Sequence, residues 1–160
     1  MAKQDNIIRD ISKYRPGVGI MLLNSQNKVF VGQRLDNPGA WQMPQGGIDE
    51  GEDIQKALFR ELEEETGTNK AELIAEAKDW FFYDLPQGAI SKFWNGKYIG
   101  QRQKWFLLKF TGQDSDININ TVEPEFDKWH WEDAYNLVGL IVDFKRDMYK
   151  QVLEEFKDYL

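Results

Sequence analysis

Residues 46–68 read GGIDEGEDIQKALFRELEEETGT, and the fold follows from this stretch. It divides into a loop, a helix and a stop. Gly46, Gly47 and Gly51 punctuate the loop, Glu52 and Asp53 put negative charge where a helix begins, and Gly67 supplies the left-handed residue that ends one. The spacing predicts a helix over 52–66. At about 100° per residue, Ile54, Ala57, Leu58 and Leu62 share one side, and Glu61, Glu64 and Glu65 fall on that same side. Lys56, Arg60 and Glu63 take the opposite side. An acidic run on a helix is ordinarily a solvated face, and here its phase turns it inward.

Such an arrangement is costly. Carboxylates at i, i+3 and i+4 lie about 5–6 Å apart, and each pair repels by about 3 kcal/mol at an effective dielectric near 20. They also crowd the last turn, where the helix dipole disfavours negative charge. Either their pKa values rise or a cation sits among them. An oxygen-only cluster suits a hard ion, Mg²⁺ or Mn²⁺, better than Zn²⁺.

Gly46, Glu52, Arg60-Glu61, Leu62, Glu64-Glu65 and Gly67 stand at the positions of the Nudix box, and the chain resembles the Nudix hydrolases there. One position departs from the pattern. Thr68 occupies the last place, where the family carries an aliphatic residue, which bears on packing after the helix and leaves the acidic set intact. The resemblance implies metal-dependent hydrolysis of a nucleoside diphosphate linked to another group.

Working outward toward the N-terminus, 41–45 (WQMPQ) lead into the glycine-rich turn, and 35–40 (LDNPGA) form a loop by their Asn-Pro-Gly content. The run 17–23, GVGIMLL, is almost continuously apolar and bounded by turn residues, so it predicts a buried strand with 28–34 as its hairpin partner. Residues 1–13 are polar and expected to be loosely ordered, with Ile7, Ile8 and Ile11 marking one docked turn.

Toward the C-terminus, 71–85 hold a connector and the strand-like DWFFYDL. Residues 90–100, with Asn95-Gly96 as a turn signal, are expected to form a hairpin edge or lid. The segment 100–110 predicts a central strand with Arg102 and Lys104 alternating to one side. A polar loop over 112–121 follows; its spacing does not fit a calcium loop. A strand over 124–133 comes next, with Phe126 and Trp129 as packing candidates. From Phe144, the four-residue recurrence of Met148, Val152 and Phe156 predicts an amphipathic C-terminal helix. Interspersed helices and strands give an α+β chain with a mixed sheet covered on both faces. The resemblance makes this a Nudix-type α/β/α sandwich spanning 1–160 as one domain.

The composition sets limits on function. A chain of 160 residues with 41% hydrophobic content suits one core. No apolar run is long enough for a membrane span and no signal-peptide core opens the chain, so a cytoplasmic protein, monomeric by default, is expected. Zero cysteines remove thiolate chemistry, leaving oxygen and nitrogen groups to act. A net charge of −7 excludes a broad basic coat for nucleic acid but not a pocket gripping one phosphorylated end.

The resemblance reaches beyond the box. YRPGVGI, WQMPQGGIDEGE, IGQRQKWFLL, PEFDKWHW and FKRDMY are similar to segments shared by bacterial RNA 5′-pyrophosphohydrolases and diadenosine tetraphosphate hydrolases. It implies Mg²⁺ (or Mn²⁺) on Glu61, Glu64, Glu65 and Glu125 with the Gly46 carbonyl, the general base lying among the carboxylates. Arg60 and Glu52 are then structural. Substrate contacts are implied for Arg15, Arg34, Gln45, Tyr83, Lys104, Val142, Phe144 and Lys145. Taken alone, Phe144 reads as helix-packing core, Arg15 and Lys104 as solvated strand ends, and His130 as a packing or surface residue. The expected partners are 5′-phosphorylated RNA ends, with dinucleoside polyphosphates as the alternative substrate and a silent nucleotide-binding module as the non-enzyme alternative.

Overall fold

The computed structural model describes residues 8–160; Ile7 and the rest of 1–7 lie outside the described residues. Elements follow in the order β1 (Tyr14–Leu23), β2 (Val29–Arg34), β3 (Trp41–Gln42), β4 (Gln45–Gly47), α1 (Ile54–Thr66), β5 (Ala71–Glu76), β6 (Phe81–Asp84), β7 (Gly100–Phe110), β8 (Phe126–Glu132), α2 (Leu137–Leu140) and α3 (Arg146–Phe156). All eight strands belong to one sheet. β1 and β7 lie parallel at its centre, paired from Tyr14 with Gly100 to Leu23 with Lys109, and the other pairings are antiparallel.

The apolar run of β1 serves two cores. Val18, Ile20 and Leu22 face α1, where Ala57, Leu58 and Leu62 meet Phe30, Phe106 and Leu108. Met21 and Leu23 face the other way, with Trp105 and Leu107, toward Met148, Tyr149, Val152 and Phe156 of α3. A strand covered on both faces has no polar alternation to show, which is why 17–23 reads as unbroken hydrophobicity. Helices on both faces of a mixed sheet give the expected sandwich.

Three expectations change. β2 touches β1 only at Val29 with Leu23, and otherwise pairs with β8 and β3. The reason is that β4 takes the flank of β1 at residues 17–19. Residues 90–100 form no hairpin: two short 3-10 turns, Gln87–Lys92 and Trp94–Gly96, fold there. Asn95 and Gly96 do adopt left-handed φ values of 56° and 72°, but they turn the chain within a cover rather than between strands. The docked turn near the start is also absent among the described residues, since Ile8 and Ile11 are exposed while 11–13 form a 3-10 turn.

Candidate active site

The site is built where α1 meets β4. Asp53 caps the helix, accepting from the Gln55 and Lys56 amides, and Gly67 ends it with φ 77°. Ahead of the helix, Glu52 and Arg60 clamp the corner. Arg60 donates from Nε and Nη2 to the two Glu52 oxygens at 2.7 and 2.8 Å and from Nη2 to the Gly47 carbonyl at 2.9 Å. Paired with this guanidinium, the Glu52 carboxyl is held down to about 2.

Arg60 also reaches the acidic row, with Nη1 bonded to Glu61 at 3.1 Å and to Glu64 at 3.2 Å. Glu61 and Glu65 are buried, as the helical phase predicts; Glu64 stands at the edge of that arc and its side chain is 56% exposed. The Glu61 carboxylate lies directly on Gly46: a Cβ there would fall 1.5 Å from Oε2. Any side chain at 46 would occupy the place of that carboxylate. Burial first, then the neighbouring Glu64, push Glu61 up to about 8. Glu65 accepts from the Gln45 amide at 3.1 Å, and burial followed by the charge of Glu61 raises it well above the usual carboxylate range.

A cleft of about 1410 Å³ opens beside this row, and cations also line it. Arg34 sits at a register shift between β2 and β8, holds Asp36 through two bonds of 2.8 and 2.7 Å, and donates to Gln42 Oε1 at 3.3 Å. Lys145 shares that acceptor at 3.4 Å. It is 4% exposed, lies 5.0 Å from the Tyr83 ring and 5.9 Å from Phe144, and its ammonium is brought down to about 7 by burial and by Arg34. Arg15 packs on the backbone of Gly47 and under the Trp94 ring at 5.6 Å. Glu125 lines the same cleft, raised by burial and lowered by Arg34.

Amides line the cleft as well. Gln103 donates from Nε2 to Gln45 Oε1 at 2.5 Å and to Gln101 Oε1 at 2.6 Å. Carboxylates able to take a hard cation, next to Arg and Lys able to take phosphate, form a site for metal-assisted chemistry on a phosphate chain.

Comparison with known proteins agrees with this geometry. The NUDIX domain model matches residues 13–152. The chain belongs to the Nudix family. An RNA pyrophosphohydrolase of Roseobacter denitrificans is 57% identical over 150 residues, covering 92% of this chain and 94% of that protein. One from Wolbachia pipientis subsp. Culex pipiens (strain wPip) is 50% identical over 155 residues, 96% of each chain. Among solved structures, a C. elegans Ap4A hydrolase binary complex superposes with a TM-score of 0.66 at 20% identity, covering 91% of this chain and 96% of that one, a likeness of fold. The chain is thus an enzyme, a Nudix pyrophosphohydrolase. Among the described residues no helix is long and apolar enough to cross a membrane.

Of the residues singled out in the sequence, the Nudix cleft gathers Arg15, Arg34, Gln45, Gly46, Arg60, Glu61, Glu64, Glu65, Gly67, Tyr83, Glu125, Val142, Phe144 and Lys145 along its walls. Phe144 is part of that wall rather than core, its ring 5.6 Å from Tyr83. Lys104 is not among them. Strand alternation sends it to the opposite face of β7 from Gln101 and Gln103, where it pairs with Glu76 at 3.6 Å and donates to the Lys78 carbonyl. Among the described residues no three acidic or imidazole groups already converge at metal-ligand spacing, because Arg60 holds Glu61 and Glu64 while Glu65 turns to the Gln45 amide. His130 pairs with Glu132 and packs on Trp41, away from the cleft lining. The sequence reading missed Gln42, Gln101 and Gln103; the alternation of β7 contained that signal, since the face opposite Arg102 and Lys104 carries two glutamines before Trp105.

Proposed function

We infer that this enzyme is an RNA 5′-pyrophosphohydrolase, converting 5′-triphosphorylated or diphosphorylated RNA ends to 5′-monophosphate. The observation that carries the reading is identity of about half or more, over nearly the whole chain, to proteins named RNA pyrophosphohydrolase. The cleft supports it: its lining offers carboxylates together with Arg34, Lys145 and Arg15 for phosphates, and Tyr83 and Phe144 as aromatic surfaces for a base.

The residues present fit a divalent cation. Glu61 and Glu65 are buried carboxylates raised far above their usual range, and the site holds no thiol, so a hard ion answers the repulsion. Glu61, Glu64, Glu65 and Glu125 would hold it; we assign Mg²⁺, with Mn²⁺ as a substitute. The Gly46 carbonyl, at the cleft lining beside Glu61, would add a backbone oxygen to that set. When bound, the cation neutralises charge on the phosphate chain and lowers the pKa of attacking water. The protein's own groups do the rest. Arg34 and Lys145 neutralise the phosphate oxygens, Arg15 holds the far end of the chain, and a carboxylate of the row accepts the proton of water.

A competition tests this. Equal concentrations of a short 5′-triphosphorylated RNA and diadenosine tetraphosphate are given to the protein with Mg²⁺, and both initial rates are read from one reaction. Much faster loss of pyrophosphate or phosphate from RNA is expected. Preference for the dinucleotide would overturn the reading.

A further inference from the structure

Gln103 is buried completely, with 0% of its surface exposed, and is not part of the cleft wall, whereas Gln45 and Gln101 are. A primary amide nitrogen carries two hydrogens, and Gln103 spends both: one on Gln45 Oε1 at 2.5 Å, one on Gln101 Oε1 at 2.6 Å. Each carbonyl is therefore anchored inside the protein. The amide group is planar, so anchoring its oxygen aims its nitrogen the other way.

Two further groups lie against the Gln101 amide. Gln101 Oε1 packs on the backbone of Gly17, where an added Cβ would stand 3.3 Å away, and it faces the Tyr83 hydroxyl at 3.5 Å. Neither Gln45 Nε2 nor Gln101 Nε2 has a protein acceptor among the described residues, and neither is among the buried atoms lacking a partner. Gln45 and Gln101 both line the cleft, Gln101 being only 3% exposed, so their NH₂ groups lie at its wall, while Gln103 Oε1 is buried without a partner.

We propose that Gln103 is a positioning residue that sets the polarity of Gln45 and Gln101, so that both present N–H donors to the polyphosphate chain of the substrate. The proposal rests on the reading of the cleft as a polyphosphate site. A free glutamine offers donor or acceptor by a half-turn of its amide, and an acceptor facing phosphate oxygens is repulsive. One buried donor removes that ambiguity at two positions, without adding a positive charge next to Arg34 and Lys145.

The probe is inorganic tripolyphosphate in metal-free buffer, where no turnover occurs. In the wild-type protein, side-chain amide NMR should show the Gln103 NH₂ protected from exchange. The Gln45 and Gln101 NH₂ groups should exchange faster than that of Gln103 and become protected on adding tripolyphosphate. Calorimetry on Gln103→Met, which keeps length and removes the donor, should show binding weakened about tenfold or more, since hydrogen bonds to charged groups are among the stronger ones. With RNA and Mg²⁺ the same change should raise KM more than it lowers kcat. In a Gln45→Ala, Gln101→Ala background, Gln103→Met should cost nothing further.

Unchanged tripolyphosphate binding in Gln103→Met, or freely exchanging Gln103 protons in the wild type, would overturn the proposal. The wild-type NMR experiment needs no variant to fold. Failure of this proposal with RNA turnover intact leaves the functional reading standing, while tripolyphosphate binding without RNA turnover does the reverse.

Discussion

Glu52 contributes to the site without touching substrate. Its two oxygens take the Nε–Nη2 edge of the Arg60 guanidinium, and its Oε1 also accepts from the Asp49 amide at 2.9 Å, closing the loop ahead of α1. Its carboxyl sits at about 2 against an ordinary value of 4.5, so its contribution is fully present above pH 4.5 and is lost as pH falls through 2. Glu52→Gln should therefore destabilise the fold by about 1–3 kcal/mol at neutral pH and flatten the acid limb of its stability profile, read by denaturant melts from pH 2 to 5. Glu64 makes the opposite case. Its side chain is 56% exposed, so Glu64→Gln should change stability by less than about 0.5 kcal/mol while turnover falls by about a hundredfold or more. Unchanged turnover would remove Glu64 from the metal set. Gly46→Ala should likewise abolish RNA turnover, since its Cβ would occupy the position of the Glu61 carboxylate; a variant as active as wild type would show that Glu61 works from elsewhere.

At the scale of elements, α1 is the piece most fully legible in the sequence. Its C-terminal end and the inward phase of Glu61 and Glu65 follow from helical periodicity and cap chemistry, because these are local effects, whereas its start falls at Ile54 rather than Glu52 because Asp53 serves as the cap. Asp53→Ala removes the acceptor for two helix amides and should cost about 1 kcal/mol, lowering the melting temperature by about 2–4 °C. The loss should appear in stability before activity, as the Arg60 clamp still holds the corner. What the sequence concealed is non-local. Nothing within 14–34 says that β4 displaces β2 from β1, and Asn95-Gly96 specifies a turn without saying what flanks it. The glutamines of β7 look like solvent-facing polar residues until β1, β4 and β6 enclose them. Lys104 misled for a related reason: the resemblance implied a substrate contact for it, while strand alternation turns its side chain toward Glu76 and away from Gln101 and Gln103.

For the molecule as a whole, the decisive feature is how charge is divided. The chain carries 27 acidic against 20 basic residues, yet Arg15, Arg34 and Lys145 face one cleft. A phosphorylated end would be drawn to that cleft, while the chain as a whole carries a net charge of −7 and would repel the body of a long RNA. KM for triphosphorylated RNA should not fall as the chain is lengthened from about four to twenty nucleotides; a steep fall with length would reveal a second RNA-binding surface.

The acidic wall leads to a linked prediction. Glu61 at about 8 and the raised Glu65 bind protons in the fold that they release when unfolded. Raised carboxyl groups stabilise below their unfolded values and lose that contribution as pH rises, so the metal-free protein should lose stability between pH 5 and 7. Lys145, lowered to about 7 from 10.5, acts with the opposite sign, but only above pH 7, which leaves the lower window to the carboxylates. A divalent cation must expel those protons to bind. Mg²⁺ should therefore bind more tightly at pH 8 than at pH 6 and should stabilise the fold more at the higher pH. Calorimetry in two buffers of different ionisation enthalpy would read the proton release directly. A heat of binding independent of the buffer would place the cation on groups that are already ionised, and would exclude Glu61 and Glu65 as its ligands.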